Sequence, residues 1–456
     1  PNLLILKIEK ELKKELDPKL KAKANEYLLA GYKRLLNYQT QSGGFSYWGK
    51  NDKPNIALTA YVLRFLNDAR EFIEVDEAVI ENAQKWLLSQ QTSDGSWENN
   101  EKSTAYVSLS LALDLKSDDE MKTSLQNSLA FLQKRLPETK DPDVLANIAL
   151  TAEAFGDREI VKSIAGKLQN SAQTENETVF WSVEATNFYG WGKTAQIQTT
   201  ALVLQVLLKA ESETNLSRGL AFLLKNKDKY GVWFSTQTTV NVLDTLILLQ
   251  KERLNRAGIQ TEKGEVFVNG KKVNEFSTES DKLIDPIIFD LSQFLSQNNN
   301  RIEVKGLRSL NPITVQIVSK HYLRWETVKE DDKYFDFKID YSKTEAKIGE
   351  EIICAVSAKQ STYRYGMLLA EIGLPPGADV DRRSLDQAKM NDEFSNYDVL
   401  PDRVLVYFWS SSKGLNFNFK FKPRYGIFAQ NAPSVIYDYY NEEAKATLAP
   451  LKFKVK

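Results

Sequence analysis

The 456-residue chain is poor in the side chains that usually carry catalysis. It holds one cysteine, Cys354, one histidine, His321, and three methionines. A single cysteine excludes an intrachain disulfide, which fits either a reducing compartment or a bacterial envelope protein that never relied on disulfides. No apolar run approaches the ~20 residues that span a bilayer. Acidic and basic residues nearly cancel, 61 against 60, for a net charge of −1. No global field therefore steers the chain toward nucleic acid or an anionic membrane. A Gly-rich phosphate loop after a strand is missing, as is a basic cluster with interleaved aromatics. The chain opens at Pro1 without methionine or a charged-then-apolar leader, which reads as a fragment of a longer product.

What is present is periodicity. The length exceeds what one hydrophobic core sustains, so two or three domains are expected. Up to about residue 250 the pattern is helical. "ALTAYVLRFL", "STAYVSLSLAL", "VLANIALTAEAF", "IQTTALVLQVLL" and "TTVNVLDTLILL" are apolar over most of their circumference, which predicts inner helices buried on most sides. Between them, "KLKAKANEYLLAGYKRLLNY", "DEAVIENAQKWLLSQ", "MKTSLQNSLAFLQKRL" and "SRGLAFLLKNK" place apolar residues at three- and four-residue steps, with charge on the other face. Alternating buried and half-exposed helices at a repeat of roughly 40 to 50 residues predict a closed α/α toroid over residues 1–250.

One punctuation recurs: Gln39–Gly43–Phe45 in "YQTQSGGFSYW", Gln91–Gly95–Trp97 in "SQQTSDGSW", and a looser copy in "NKDKYGVWF". This Gln-x-x-x-Gly-x-Trp/Phe element is expected to close an outer helix and lead into the next inner one. The glycine takes a backbone position that penalises a Cβ, the aromatic packs over the turn, and the glutamine amide bonds free carbonyls at the helix end.

Beyond residue 250 the period switches to two. "GEVFVNGKKV" alternates up to an Asn269-Gly270 pair, a hairpin signal, and "NRIEVKG" and "ITVQIVSKHYL" continue in strand style, giving a small β region over 251–325. After the charged joint "RWETVKEDDK", the segments "KYFDFKIDYS", "EEIICAVSAK", "MLLAEIGLP", "RVLVYFW", "LNFNFKFKP" and "SVIYDYYN" predict a β-sandwich over 330–456, with one helix at 378–390.

Toroids also house terpene cyclases and zinc-dependent prenyl transferases. The first needs an aspartate cluster, and the acidic runs "SDDE" (117–120) and "EDDK" (330–333) sit in apparent loops or joints, as solvated surface does. The second needs Cys and His ligands, of which the helical region has none. His321, flanked by Ile317, Val318, Tyr322 and Leu323, has no triad or metal partner in sequence, and Cys354 reads as a small core residue. No catalytic, cofactor-binding or metal-binding residue is assigned, and an enzyme is not expected.

The order of toroid, small β region and sandwich with one helix resembles the C-terminal part of the alpha-2-macroglobulin and complement family. "YLLAGYKRLLNYQTQSGGFSYWG", the segment from "IALTAYVLRFLNDAR" to "WLLSQQTSDGSW", and "GVWFSTQTTVNVLDTL" resemble its thioester domain. "YDVLPDRVLVYFW" through "APSVIYDYYNEEAKATLAP" resembles its receptor-binding domain. Residues 251–325 would then be the returning half of the CUB domain. The resemblance implies covalent trapping of proteases. A Cys-Gly-Glu-Gln motif forms an internal thioester, exposed after proteolysis of a bait region, and acylates an amine or hydroxyl. Such a motif would stand just upstream of Pro1. Cys354 cannot supply it, since Ser357 occupies the position of the required glutamine.

Complement-like members carry a histidine in the loop matched by "DGSWENNEKSTAYV"; none stands here, so transfer to amines is expected rather than to hydroxyls. Lysines on the single sandwich helix contact a clearance receptor in vertebrate inhibitors. Arg382, Arg383 and Lys389 stand there in this chain, but a solvated helical face explains them equally, and the role is not carried over. The expected protein is therefore an endopeptidase trap of bacterial type, extracellular or periplasmic. Its partners are proteases and the preceding macroglobulin domains of the same polypeptide. The alternative is a thioester-less scaffold of the cell envelope.

Overall fold

A computed structural model describes the chain except residues 1, 13–14, 114–118, 228–231, 234, 257–261, 279–286, 298, 308–314, 316, 320–322 and 328–332. His321 and most of the run at 330–333 thus lie outside the described residues, as does part of the third turn copy. The chain divides into two compact units. One comprises Pro1–Trp181, Thr199–Asn226 and Val240–Gln316; the other comprises Ser182–Gln198, Lys227–Thr239 and Ile317–Lys456.

The first unit is built from helices α1 (Asn2–Leu12), α2 (Pro18–Leu35), α3 (Ile56–Ala69), α4 (Glu77–Ser89), α5 (Glu101–Ala112), α6 (Asp119–Arg135), α7 (Pro142–Ala154), α8 (Arg158–Asn170), α9 (Gly192–Lys209), α10 (Leu216–Lys225) and α11 (Thr236–Arg256). The first turns of α9 and α11 fall in the other unit. Starts are fixed by short polar caps. Asp17, Asn55, Asp76, Asn100, Asp141 and Asp157 each accept backbone N–H bonds from the first turn that follows, and Pro18 and Pro142 occupy first-turn positions where the N–H is dispensable.

The inner helices are the odd-numbered ones. In α5 every residue from Thr104 to Ala112 is buried, and α5 packs between α3 and α7. The even-numbered helices bury one stripe; α8 hides Val161, Ile164, Ala165 and Leu168 and leaves its other face to solvent. Helix α11 runs to Arg256, past the boundary at 250 that the period change suggests.

The recurrent turn is the staple its residues imply. Gln39 donates its amide to the Gly43 carbonyl (2.9 Å) and to that of Val79 on α4 (3.0 Å). Gln91 repeats this on Gly95 (2.9 Å) and on Ser124 of α6 (2.9 Å). Phe45 and Trp97 are fully buried and give their backbone N–H to Thr59 and Thr104 of the next inner helix. The Trp97 indole N–H also caps the Leu87 carbonyl of α4 at 2.7 Å, and Trp181 does the same to Leu168 of α8 at 2.6 Å. One turn therefore ties an outer helix, its successor and the next inner helix together.

A small antiparallel sheet completes this unit. Strands Glu262–Val268 and Lys271–Thr278 form a hairpin over Asn269 and Gly270, both at positive φ, and Ile302–Lys305 pairs on the far side. The strand expected across "ITVQIVSKHYL" does not extend to its described residues: 317–319 have no strand geometry, and Ile317 and Val318 are exposed.

The second unit is built on a sandwich of two antiparallel sheets, and it also holds a small mixed sheet in the order Ile427–Gln430, Lys452–Val455, Glu345–Ala346. Of the sandwich sheets, one runs in the order Ala378–Val380, Leu415–Pro423, Ile352–Gln360, Phe335–Tyr341; the other Asn396–Val399, Arg403–Trp409, Met367–Gly373, Ser434–Asp438, Asn441–Leu448. Alternate residues of both meet in one core, with Phe417, Phe419 and Phe421 from one sheet and Ala370, Val404, Val406 and Ile436 from the other. Helix α12 is Arg382–Met390, capped by Asp381 and docked by Leu385 and Ala388. It starts later than residue 378, because Ala378–Val380 pair with Phe421–Pro423 as an edge strand.

Candidate functional site

The sequence reading points to the beginning of α1, and the structure shows how that helix is held. Leu3, Leu4, Leu6 and Leu12 are buried. On the same helix, half-buried Lys7 places its ammonium 2.9 Å from Asp68 on α3 and 3.2 Å from Asp244 on α11. Lys251 of α11 pairs with Glu11, Lys10 with Glu71 (2.7 Å), and Lys21 of α2 with Glu9 (2.8 Å). Burial opposes the Lys7 charge, but Asp244 and Asp68 outweigh it and hold its pKa above the ordinary value. Asp244 is driven the other way: burial raises its carboxyl despite Lys7 and Arg64. The first inner helix is thus joined to the last by a partly buried charge triad, which closes the ring of inner helices.

A second polar feature lies on α7. Asp143 is 1% exposed, and neither carboxyl oxygen finds a hydrogen-bond partner among the described residues. Burial pushes its pKa up to about 6, against a weaker pull from Lys102. Asn147, one turn on, donates to the Asp143 backbone carbonyl at 2.7 Å, and its own side-chain oxygen is unpartnered. Sequence reasoning passed over Asp143 because an acid in a helical first turn normally faces solvent and complements the helix dipole.

The remaining candidates separate cleanly. Cys354 is 0% exposed in the sandwich core, and burial pushes its thiol well above the usual range, so it is no nucleophile in the folded chain. Arg382, Arg383 and Lys389 lie on the exposed face of α12, with Lys389 bonding Asn396 at 3.1 Å. Asp119 and Glu120 open α6 on the surface rather than sitting in a loop. The link into α5 after Trp97 consists of Glu98, Asn99 and Asn100; Glu98 accepts a bond from Ser103. Among the described residues there is no cluster of three or more His, Cys, Asp or Glu suited to a metal, and no helix is long and apolar enough to cross a membrane.

Comparison with known proteins finds the family that the sequence resembles. Residues 1–248 match the A-macroglobulin TED domain and residues 364–449 the A-macroglobulin receptor binding domain. Ovostatin of Gallus gallus is 23% identical over 98% of this chain, and complement C3 of Oncorhynchus mykiss is 24% identical over 92%. The chain spans only 32% and 27% of those two relatives. Among solved structures, native alpha-2-macroglobulin of Escherichia coli from domain MG7 to the C-terminus superposes with a TM-score of 0.66 at 14% identity, covering 98% of this chain and 70% of that one. The Salmonella alpha-2-macroglobulin reacted with methylamine gives 0.65 at 14% identity, covering 97% and 28%. At these identities the structural likeness speaks for the fold.

Proposed function

The chain belongs to the alpha-macroglobulin and complement thioester-protein family, and from that premise we propose that it is the carboxy-terminal part of an endopeptidase trap. In this reading residues 1–250 are the thioester domain, 251–325 the returning half of a CUB domain and 330–456 the receptor-binding domain. The observation that carries the proposal is the thioester-domain match over 1–248, with α1 locked into the ring by Lys7. The thioester itself belongs to residues ahead of Pro1. On activation an amine attacks its carbonyl, the glutamine γ-acyl becomes an amide, and the cysteine leaves as a thiol. The link Glu98–Asn100 holds no imidazole to activate a hydroxyl, which favours protease lysines as acceptors. A periplasmic or secreted bacterial setting accords with the single cysteine and with proteases as partners.

The test is the intact mass of the full-length parent, with and without methylamine, before and after protease. One methylamine adduct on a glutamine, with release of one thiol and retention of protease, is the expected result. An unchanged mass with no retained protease overturns the trap and leaves the thioester-less scaffold of the cell envelope as the reading of the same fold.

A further inference from the structure

A strand at the edge of a sheet offers unpaired N–H and C=O groups to any other extended chain, and folded proteins guard such edges with charge. Among the described residues, the three sheets of the second unit have six edge strands, and five are guarded in this way. Exposed charges stand on each: Asp379 on Ala378–Val380, Asp336 on Phe335–Tyr341, Asp398 on Asn396–Val399, Lys445 on Asn441–Leu448 and Glu345 on Glu345–Ala346. The sixth, Ile427–Gln430, reads Ile-Phe-Ala-Gln and carries no charge. It holds out Phe428 instead, 77% exposed.

The backbone of this strand is open as well. Ile427–Gln430 pairs with Lys452–Val455 on one side and with no strand on the other. Asn431 gives its N–H to the Leu451 carbonyl at 3.0 Å, which fixes the alternation of this antiparallel pair. Ile427, Ala429 and Asn431 turn their N–H and C=O groups toward Lys452–Val455, and Phe428 and Gln430 turn theirs to the outer edge. The neighbouring strand agrees. Lys454 and Lys456 give their N–H groups to Thr344 (2.9 Å) and Ala346 (3.0 Å) on its far side, which leaves Phe453 and Val455 for Ala429 and Ile427. The N–H and C=O groups of Phe428 and Gln430 thus stand ready for one more strand.

Charge lies one strand further in. Phe428 stands opposite Lys454, and Gln430 opposite Lys452, on one outward face. Lys454 reaches Glu345 only at 3.9 Å, and Lys452 has no acidic partner among the described residues. A strand laid on the edge would hold its outward side chains roughly 10 Å from this lysine row, a distance that long side chains bridge and salt only partly screens. A second copy is a poor occupant. Two four-residue edges pair over far less than the about 1,000 Å² that a stable interface between folded chains buries.

We propose that Ile427–Gln430 is a docking edge for an extended acidic peptide, which adds to the mixed sheet as its fourth strand. Backbone bonds to Phe428 and Gln430 hold the peptide, an apolar side chain packs beside Phe428, and carboxylates meet Lys452 and Lys454. The edge is open in this way whether or not the parent is a protease trap.

The experiment uses the full-length parent, and the probe is a synthetic hexapeptide alternating glutamate and valine, blocked at both ends. The amides of Phe428 and Gln430 should exchange fast in the free protein and slow by about tenfold or more with the peptide. A lysine-valine peptide should slow them severalfold less, and a glutamate-valine peptide N-methylated at alternate positions should leave them fast. Phe428→Lys, which places a guarding charge on a side chain already in solvent, should keep the unfolding midpoint and lose the protection. Equal protection by the lysine peptide overturns the acidic assignment, and protection by the N-methylated peptide overturns strand addition. No protection by the glutamate peptide overturns the docking edge outright. Slow exchange of the two amides before any peptide is added means that another segment or a second copy already covers the edge, and that overturns it too.

Discussion

Gly95 lies against the backbone of Asn127 on α6 so closely that a Cβ would stand 2.4 Å from the Asn127 carbonyl oxygen. Gly43 has the same relation to Asn82 on α4, at 2.5 Å. Neither carbonyl can retreat without breaking its own helix. Gly95→Ala should therefore destabilise the helical unit by at least about 3 kcal/mol, combining a left-handed φ with overpacking. Gly156→Ala is the control: its φ is +76°, but nothing lies within 4 Å of the added atom, so it should cost only about 1 kcal/mol. Urea unfolding of the two variants checks the difference.

Removing the α1 anchor should show a different signature. Lys7→Met leaves Asp244 in a buried setting without its nearest cation, and a loss of about 2 kcal/mol is expected at pH 7 for a partly buried pair. Because burial already raises Asp244, the loss should shrink as falling pH protonates it. The double variant Lys7→Met/Asp244→Asn should recover part of the stability. Additive losses in that cycle would mean that the two side chains are not coupled.

How much of this could be read from the chain depends on whether a feature is local. The staple was legible because Gln91, Gly95 and Trp97 act through bonds to the neighbouring turn, and these demand fixed spacings. The second Gln91 bond, to Ser124, joins segments 33 residues apart and leaves no trace in sequence. The sandwich strands were legible where one face is buried, as in Leu415–Pro423 with its strict alternation. The edge strand Ala378–Val380 was not, since only pairing with Phe421–Pro423 distinguishes it from the helix that follows. A further copy of the turn, at Thr186–Trp191, was hidden for a sharper reason. "TNFYGW" carries tyrosine where the repeat has glycine, so the copy appears only once the backbone hydrogen bonds are seen.

Asp143 makes a pH prediction whose sign is opposite to that of a salt-bridged acid. Its folded pKa, about 6, exceeds that of an unfolded aspartate, about 3.9. The folded form therefore binds a proton more tightly, and the stabilisation is complete below about pH 4 and lost as pH rises through 6. A shift of about two units corresponds to roughly 3 kcal/mol. Asp143→Asn should flatten this slope: relative to wild type, the variant should gain stability on going from pH 4.5 to pH 7.5. Denaturant titrations at the two pH values measure it, and an unchanged difference would mean that Asp143 stays ionised in a hydrated site.

Cys354 provides the last prediction, and it bears on where the acyl chemistry resides. The thiol is fully buried between Ile352 and Val356 of one strand, against the Phe419 strand, with burial opposing its ionisation. The thiolate is the reactive species, so both access and charge are denied in the folded state. Native protein treated with iodoacetamide should leave the peptide bearing Cys354 unlabelled, and denaturation should label it fully. In the full-length parent, the thiol released by methylamine should map to a cysteine ahead of Pro1 and never to Cys354. Were the released thiol found at Cys354, the sandwich core would have to open during activation, and the assignment of the reactive group to residues ahead of Pro1 would fall with it.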